Sequence, residues 1–205
     1  MFASFRKKRL RRKLGPSIVI VSGLPRSGTS MMMNMLKSGG LAIVTDEQRG
    51  ADDDNPKGYF ELEQVKDLDK GGDAAWLADC RGKAVKVISY LLSRLPEEHY
   101  YQVIFMIRDL GEVLASQGKM IEHRGDGDTD AGDAEMIERF ERHLRRVRIE
   151  LRDRPNVDVL YLSYREVLNA PDEHAQSVAR FLDSSPDVAA MATAVDKDLY
   201  RNRSA

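Results

Sequence analysis

The residues best suited to chemistry lie in one segment near the start of the chain, SIVIVSGLPRSGTS, Ser17–Ser30. An apolar, β-branched run leads into a glycine-bounded loop, and the loop continues into the helix-like stretch MMMNMLK. A strand, a loop and a helix N-terminus in this order cradle phosphate groups, because backbone N–H groups and the helix dipole face the anion. The segment therefore predicts an anion site at the start of the first helix of the domain.

This loop differs from the loop of nucleoside triphosphatases at one position. Gly23 and Gly28 keep the spacing of GxxxxGK[ST], but Thr29 stands where that motif has its lysine, and Arg26 lies inside the loop. The lysine is the residue that reaches the β- and γ-phosphates of a nucleotide. The loop is thus suited to a phosphate but lacks the cation of triphosphate chemistry. The structural alternative is a glycine turn that only links a strand to a helix.

A second candidate anion site follows the continuous apolar run YQVIFMI. Arg108 comes directly after this predicted strand, where α/β sheets place their ligands, and Ser116 lies eight residues further on. The planar fork of an arginine meets phosphate oxygens bidentately. The alternative interpretation is a simple surface pair between Arg108 and Asp109.

The two segments together resemble the donor site of sulfotransferases, whose donor is 3′-phosphoadenosine 5′-phosphosulfate. The form GxPRSGT[ST] resembles the 5′-phosphosulfate loop of that family, and the arginine with a serine eight residues later resembles its 3′-phosphate site. The resemblance extends over about Ser17–Leu182 and includes the late segment YLSYREVLNAP. It assigns the 5′-phosphosulfate to Arg26, Ser27, Gly28, Thr29 and Ser30, and the 3′-phosphate to Arg108 and Ser116.

The resemblance implies transfer of a sulfuryl group to a hydroxyl or amine of a small-molecule, carbohydrate or peptide acceptor, with no metal required. Many family members carry a C-terminal loop, GxxGxWK, over the 3′-phosphate, and this chain has no match to it. The cations that would take its place are Lys197, Arg201 and Arg203. A calcium-like run, Asp126–Gly132, lacks the glycine and glutamate positions of a calcium loop, so no metal is predicted.

Sulfuryl transfer needs cations at the leaving phosphate and a base for the acceptor. Arg26 and Lys86 are the predicted cations, although Lys86 is alternatively an outward-facing strand lysine. Cytosolic sulfotransferases use a histidine just after the third strand, and the corresponding region here, VKVISYLL, contains none. Other branches of the family use carboxylates, and the resemblance implies Glu61, at the end of NPKGYFE, as the favoured general base and Glu47, in TDEQR, as the second. The alternative for each is a helix-capping or loop acid.

The order of predicted elements places these groups in a three-layer α/β/α fold with a mainly parallel central sheet and a P-loop-like phosphate-binding loop. Apolar runs typical of strands buried on both faces alternate with helical patterns. The predicted strands are about Ser17–Ser22, Leu41–Val44, Lys83–Ile88, Tyr101–Ile107 and Val157–Leu162. The predicted helices are about Gly28–Ser38, Leu62–Asp79, Leu110–Glu122 and Ala134–Asp153, with two or three short helices after the last strand.

Composition limits the remaining possibilities. The chain has 205 residues and a net charge of −1, yet its first thirteen residues carry seven positive charges and no acid, so the rest carries −8. Residues 1–14 are predicted as a disordered basic arm and residues 15–205 as a single domain. Such an arm suits an anionic lipid surface, nucleic acid or a protein partner, of which nucleic acid is not expected. The one cysteine, Cys80, favours a reducing, cytoplasmic setting.

The sequence is also compatible with two other functions. One is a small-molecule kinase with a P-loop, against which the missing loop lysine argues. The other is a catalytically inactive module that binds a nucleotide or a partner, and the absent histidine keeps that interpretation open.

Overall fold

Five parallel strands form the centre of the computed structural model, which describes residues 2–46, 58–124 and 132–196. The strands lie in the order β2-β3-β1-β4-β5, and every neighbouring pair is parallel. Their bounds are β1 Ile18–Gly23, β2 Ile43–Val44, β3 Ala84–Lys86, β4 Tyr101–Ile107 and β5 Val157–Ser163. The predicted α/β fold class is confirmed.

Helices cover both faces of the sheet. The α-helices are α1 Phe2–Leu14, α2 Thr29–Ser38, α3 Leu110–Arg124, α4 Asp133–Asp153, α5 Tyr164–Asn169, α6 Pro171–Phe181 and α7 Val188–Thr193. Three short 3₁₀ helices span Glu63–Leu68, Ala75–Cys80 and Ser89–Arg94. Within the described ranges, no helix has the length and apolar content needed to cross a bilayer.

The central strands contribute to two separate cores because successive side chains point to opposite faces of a sheet. Val19 and Val21 of β1 pack with α2, α5, α6 and α7, whereas Ile18 and Ile20 pack with α4 and the 3₁₀ helices. Burial on both faces accounts for the continuous apolar runs of β1 and β4. The sheet is therefore a rigid support, and side chains at its carboxyl edge are held by buried strands.

One predicted helix differs from the structure. Leu62–Asp79 was expected to be a helix broken near Gly71 and Gly72, and the structure has two 3₁₀ helices there instead. Gly71 adopts a φ of 66°, which a continuous helix does not contain. The 3₁₀ turns still bury one apolar side each, through Val65 and Leu68 in the first and Leu77 and Cys80 in the second.

The basic arm also departs from expectation, because disorder was predicted for residues 1–14 and the structure has helix α1. Lys7 Nζ lies 2.9 Å from Asp158 Oδ1 and donates to the carbonyl of Val157 at 2.7 Å. Arg11 forms an ion pair with Asp183. Two acids of the body thus bind one side of the helix, which sequence periodicity alone did not indicate.

Candidate active site

The predicted phosphate loop joins the end of β1 to the start of α2 at the centre of the sheet. The Ser27 N–H donates to the Leu24 carbonyl at 3.1 Å and closes a tight turn. Arg26 and Gly28 both have left-handed backbone conformations, with φ of 71° and 96°. A side chain at Gly28 would meet the ring of Tyr164, because an added Cβ would lie 2.9 Å from Cε2 and nearer still to Cδ2. Glycine is therefore required here both by the backbone and by space.

The end of this loop has the properties of an anion site. Helix α2 begins at Thr29, and its first turn contains no acid. The first N–H groups of an α-helix have no intrahelical partner, and the helix dipole makes this end partially positive. The Ser27 hydroxyl is buried and has no hydrogen-bond partner among the described residues. The hydroxyl lies against Gly23, where an added Cβ would clash with it.

The two predicted donor anchors lie next to one another. Arg26 Nε donates to Ser116 Oγ of α3 at 2.8 Å, and Arg108 Nη1 donates to the Arg26 carbonyl at 3.1 Å. Ser116 is only 2% exposed. The hydroxyl of Ser116 accepts from Arg26 and retains its own hydrogen for donation. Hydrogen bonds therefore connect the loop, the residue after β4 and helix α3 directly.

Arg108 has a partner that the sequence interpretation missed. Its Nε lies 2.9 Å from Glu112 Oε2, and both side chains are buried, at 9% and 4% exposure. The guanidinium also lies 4.6 Å from the centre of the Tyr164 ring. The alternative pair with Asp109 is not what forms, since Asp109 Oδ1 instead accepts from the Glu112 N–H at the start of α3. The four-residue spacing of Arg108 and Glu112 was the available signal.

Tyr164 is the second residue that sequence reasoning did not single out. It was included in a segment interpreted as packing, and it is indeed 6% exposed within the core. Its ring nevertheless contacts Gly28 on the loop and lies under Arg108. Burial raises the pKa of the Tyr164 hydroxyl, which keeps this platform neutral beside the arginine.

Lys86 and Glu61 meet on the other side of the loop. Lys86 is the last residue of β3, and its register partner in β1 is Val21. Its Nζ donates to the Tyr59 carbonyl at 2.8 Å and lies 3.5 Å from Ser30 Oγ and 3.9 Å from Glu61 Oε1. The Lys86 side chain is 10% exposed, so it is not the outward-facing lysine of the alternative interpretation.

The segment that presents Glu61 has an unusual backbone. Phe60 has a φ of 52°, a conformation that costs a non-glycine residue free energy. It lies between the Tyr59 carbonyl, which binds Lys86, and the Glu61 carboxylate, which pairs with Lys86. The Glu61 carbonyl accepts from Thr45 Oγ1 at 2.8 Å, which fixes the segment beside β2. Glu61 itself stays accessible, with 42% of its side chain exposed.

Several predicted residues lie outside the described part of the chain. These are the second candidate base, Glu47, and the C-terminal cations Lys197, Arg201 and Arg203. Residues 126–131 of the calcium-like run lie outside it as well. Over residues 2–46, 58–124 and 132–196, no group of three histidine, cysteine or acidic side chains has the geometry of a metal site.

Comparisons with known proteins bear on the fold. No protein-family model matches the chain, and no curated protein matches it. Among solved structures, the chain is similar to the sulfotransferase domain from the curacin biosynthetic pathway, over 90% of this chain and 89% of that one. The TM-score is 0.51 and the sequence identity is 14%. The fold is sulfotransferase-like. At this identity the likeness concerns architecture, and the sulfotransferase-like fold leaves the chemistry to be argued from the residues.

Proposed function

We propose that this protein is a sulfotransferase, which moves a sulfuryl group from 3′-phosphoadenosine 5′-phosphosulfate to a hydroxyl or amine acceptor. The observation that carries the proposal is the convergence of Arg26, Lys86 and Arg108 at the carboxyl ends of three adjacent strands, around the N-terminus of α2. Ligands of α/β sheets bind at this edge. A donor with a 5′-phosphosulfate and a 3′-phosphate needs two anion sites, and the loop and Arg108 are the two candidates at this edge.

Each proposed role follows from where the residue lies. The loop residues Arg26–Ser30 would hold the 5′-phosphosulfate, with the α2 N-terminus facing its oxygens. Arg108 and Ser116 would hold the 3′-phosphate. Glu112 and the Tyr164 ring fix the plane of the Arg108 guanidinium in advance, so little side-chain entropy is lost when an anion binds.

Lys86 and Glu61 would carry the transfer step. The Lys86 ammonium would stabilise charge that develops on the leaving phosphate, a role that Ser30 and the Tyr59 carbonyl support by orienting it. The Glu61 carboxylate, which is 42% exposed and lies 3.9 Å from Lys86 Nζ, would take the proton of the acceptor hydroxyl or amine. Glu47, outside the described residues, remains the second candidate base. The acceptor class is a small molecule, a carbohydrate or a peptide.

The direct test of the proposal follows radiolabelled sulfur from the donor to a panel of phenols, sugars, amines and tyrosine peptides. We expect label on at least one acceptor, with release of adenosine 3′,5′-bisphosphate. The Lys86→Gln variant should lower transfer by about 10²–10³, the usual effect of losing one charge-stabilising donor, and should still bind the bisphosphate. Binding without transfer to any acceptor would point to the inactive module, and phosphate transfer from ATP would point to the kinase.

A further inference from the structure

A cavity lies between helix α4 and the 3₁₀ helix Ser89–Arg94, and none of the residues described as lining it is a predicted donor-site residue. It is open and has a volume of about 600 Å³. Three arginines of α4 line it, together with Tyr90, His143 and two apolar side chains of the same helix. The arginines are Arg139, Arg142 and Arg146. None of the residues described as lining it is an acid.

The three arginines present their charge on one side of the helix, because positions three and four apart are neighbours on an α-helix. Each forms an ion pair within α4, with Glu135, Glu138 or Glu150 respectively. All three pairs are more than half exposed on the arginine side, and exposed pairs contribute little free energy. An arginine has five N–H donors, so each guanidinium has donors beyond those that a single carboxylate engages.

The floor of the cavity is an aromatic platform. The Tyr90 and His143 rings stack with centroids 3.8 Å apart and planes 17° apart. His143 Nε2 lies 2.8 Å from Ser89 Oγ, which fixes the imidazole, and Tyr90 is 45% exposed. The exposed area of a stacked aromatic ring suits a second ring, either an aromatic ring or the C–H face of a sugar.

One polar atom in this platform is unsatisfied. His143 is 7% exposed, and its Nδ1 is buried without a hydrogen-bond partner in the described ranges of the chain. Because this atom is buried, the imidazole contributes to the cavity as a fixed, stacked ring. The polar contacts available to a ligand come from the three arginines.

We propose that this cavity binds a small organic anion, namely a ring that carries sulfate, phosphate or carboxylate groups. The ring would stack on Tyr90, and the acidic groups would meet Arg139, Arg142 and Arg146. An extended nucleic acid fits less well, because nucleic-acid surfaces belong to strongly basic domains and this chain has a net charge of −1. The site does not depend on the proposed transferase activity, and a sugar or an aromatic compound supplies the same chemistry.

Calorimetric titration of the full chain tests this proposal with two probes, sucrose octasulfate for the sugar arm and benzenetricarboxylate for the aromatic arm. Sucrose serves as the uncharged control. We expect at least one anionic probe to bind, sucrose not to bind, and adenosine 3′,5′-bisphosphate to leave the affinity unchanged, because none of the predicted donor-site residues lines this cavity. Competition by that bisphosphate would assign the probe to the phosphate loop and overturn the proposal, whether or not the protein is a sulfotransferase.

The helix offers a matched pair of variants. Arg146 and Arg145 are equally exposed, at 69%, and each pairs with a glutamate four residues away, but only Arg146 lines the cavity. We expect Arg146→Gln to weaken probe binding about tenfold, the scale of one charge-assisted contact, and Arg145→Gln to change it by less than about twofold. Tyr90→Ala should also weaken binding, and Tyr90→Phe should preserve it. Equal losses in the two arginine variants, binding of neither probe, or binding only of a single-stranded oligonucleotide would overturn the proposal.

Discussion

The contact between the phosphate loop and Tyr164 makes a quantitative prediction for Gly28→Ala. The substitution places a Cβ 2.9 Å from Tyr164 Cε2, and closer to Cδ2, on a backbone with a φ of 96°. Tyr164 cannot easily retreat, because it is 6% exposed and, as the first residue of α5, packs in the core with residues of α2. The clash therefore has to be relieved by a shift of the loop or of the ring.

Two free-energy costs add at this position. An alanine in the left-handed region costs about 1–2 kcal/mol, partly offset by roughly 0.4–1 kcal/mol because alanine restricts the unfolded chain. Overpacking a filled site costs typically about 1–3 kcal/mol. We expect the free energy of unfolding to fall by about 2–4 kcal/mol, as measured by urea unfolding. The same shift moves the platform under Arg108, so affinity for adenosine 3′,5′-bisphosphate should fall as well.

Gly40→Ala is the matched control, because Gly40 has a φ of 87° and nothing within 4 Å of an added Cβ. This substitution has the backbone cost without the clash, so the free energy of unfolding of the protein should fall by only about 1 kcal/mol. Tyr164→Leu replaces the ring with a smaller side chain. In a double-mutant cycle, it should reduce the loss in free energy of unfolding caused by Gly28→Ala. If Gly28→Ala and Gly40→Ala lower the free energy of unfolding by the same amount, Tyr164 does not lie against the loop as described.

Three further predictions concern the site and the fold. Arg108→Ala should weaken calorimetric binding of adenosine 3′,5′-bisphosphate by roughly 1.5–3 kcal/mol and barely affect adenosine 5′-phosphate; equal losses would mean that Arg108 only supports the fold. Glu61→Gln should keep donor affinity and lower turnover by about 10²–10⁴, whereas Glu63→Gln, a nearby exposed acid paired with a lysine, should leave turnover unchanged. Burial and the charge of Arg81 lower the pKa of His99 in the folded protein. As the pH falls, His99 therefore gains its proton in the unfolded chain before it does so in the folded one. The free energy of unfolding should decrease as the pH drops below about 6.5. His99→Asn should flatten that part of the pH dependence in urea unfolding, and an unchanged slope would exclude His99 as its source.

The strands were predictable because their patterns are local. Tyr101–Ile107 was predicted with the bounds that the structure has, and Ser17–Ser22 is shifted by one residue. In an α/β chain, a continuous apolar run of that length is typical of a strand that is buried on both faces. The basic arm was not predictable in the same way, because its order depends on Asp158 and Asp183, which are distant in sequence. Long-range ion pairs leave no periodicity in the segment that they hold.

The residues of the candidate site were likewise predictable only in part. Arg26, Arg108 and Ser116 were named from their resemblance to the sulfotransferase donor site, and the structure brings them into contact because the loop and β4 end side by side. Lys86 was named because it lies in the third predicted strand, near the place of a lysine that contacts the donor in related sulfotransferases, and its low exposure excludes the outward-facing alternative. Tyr164 was missed because a tyrosine in an apolar segment has the same pattern whether it packs or supports a ligand. Only its position beneath Gly28 distinguishes the two.

The most direct test of the central proposal is a magnesium-free calorimetric titration with adenosine 3′,5′-bisphosphate, beside ATP with and without magnesium. We expect the bisphosphate to bind and to raise the melting temperature without a metal, since a ligand specific to the folded state stabilises it. ATP should bind much more weakly under either condition, because Thr29 replaces the loop lysine. Binding of ATP that requires magnesium, with no binding of the bisphosphate, would contradict the proposed function.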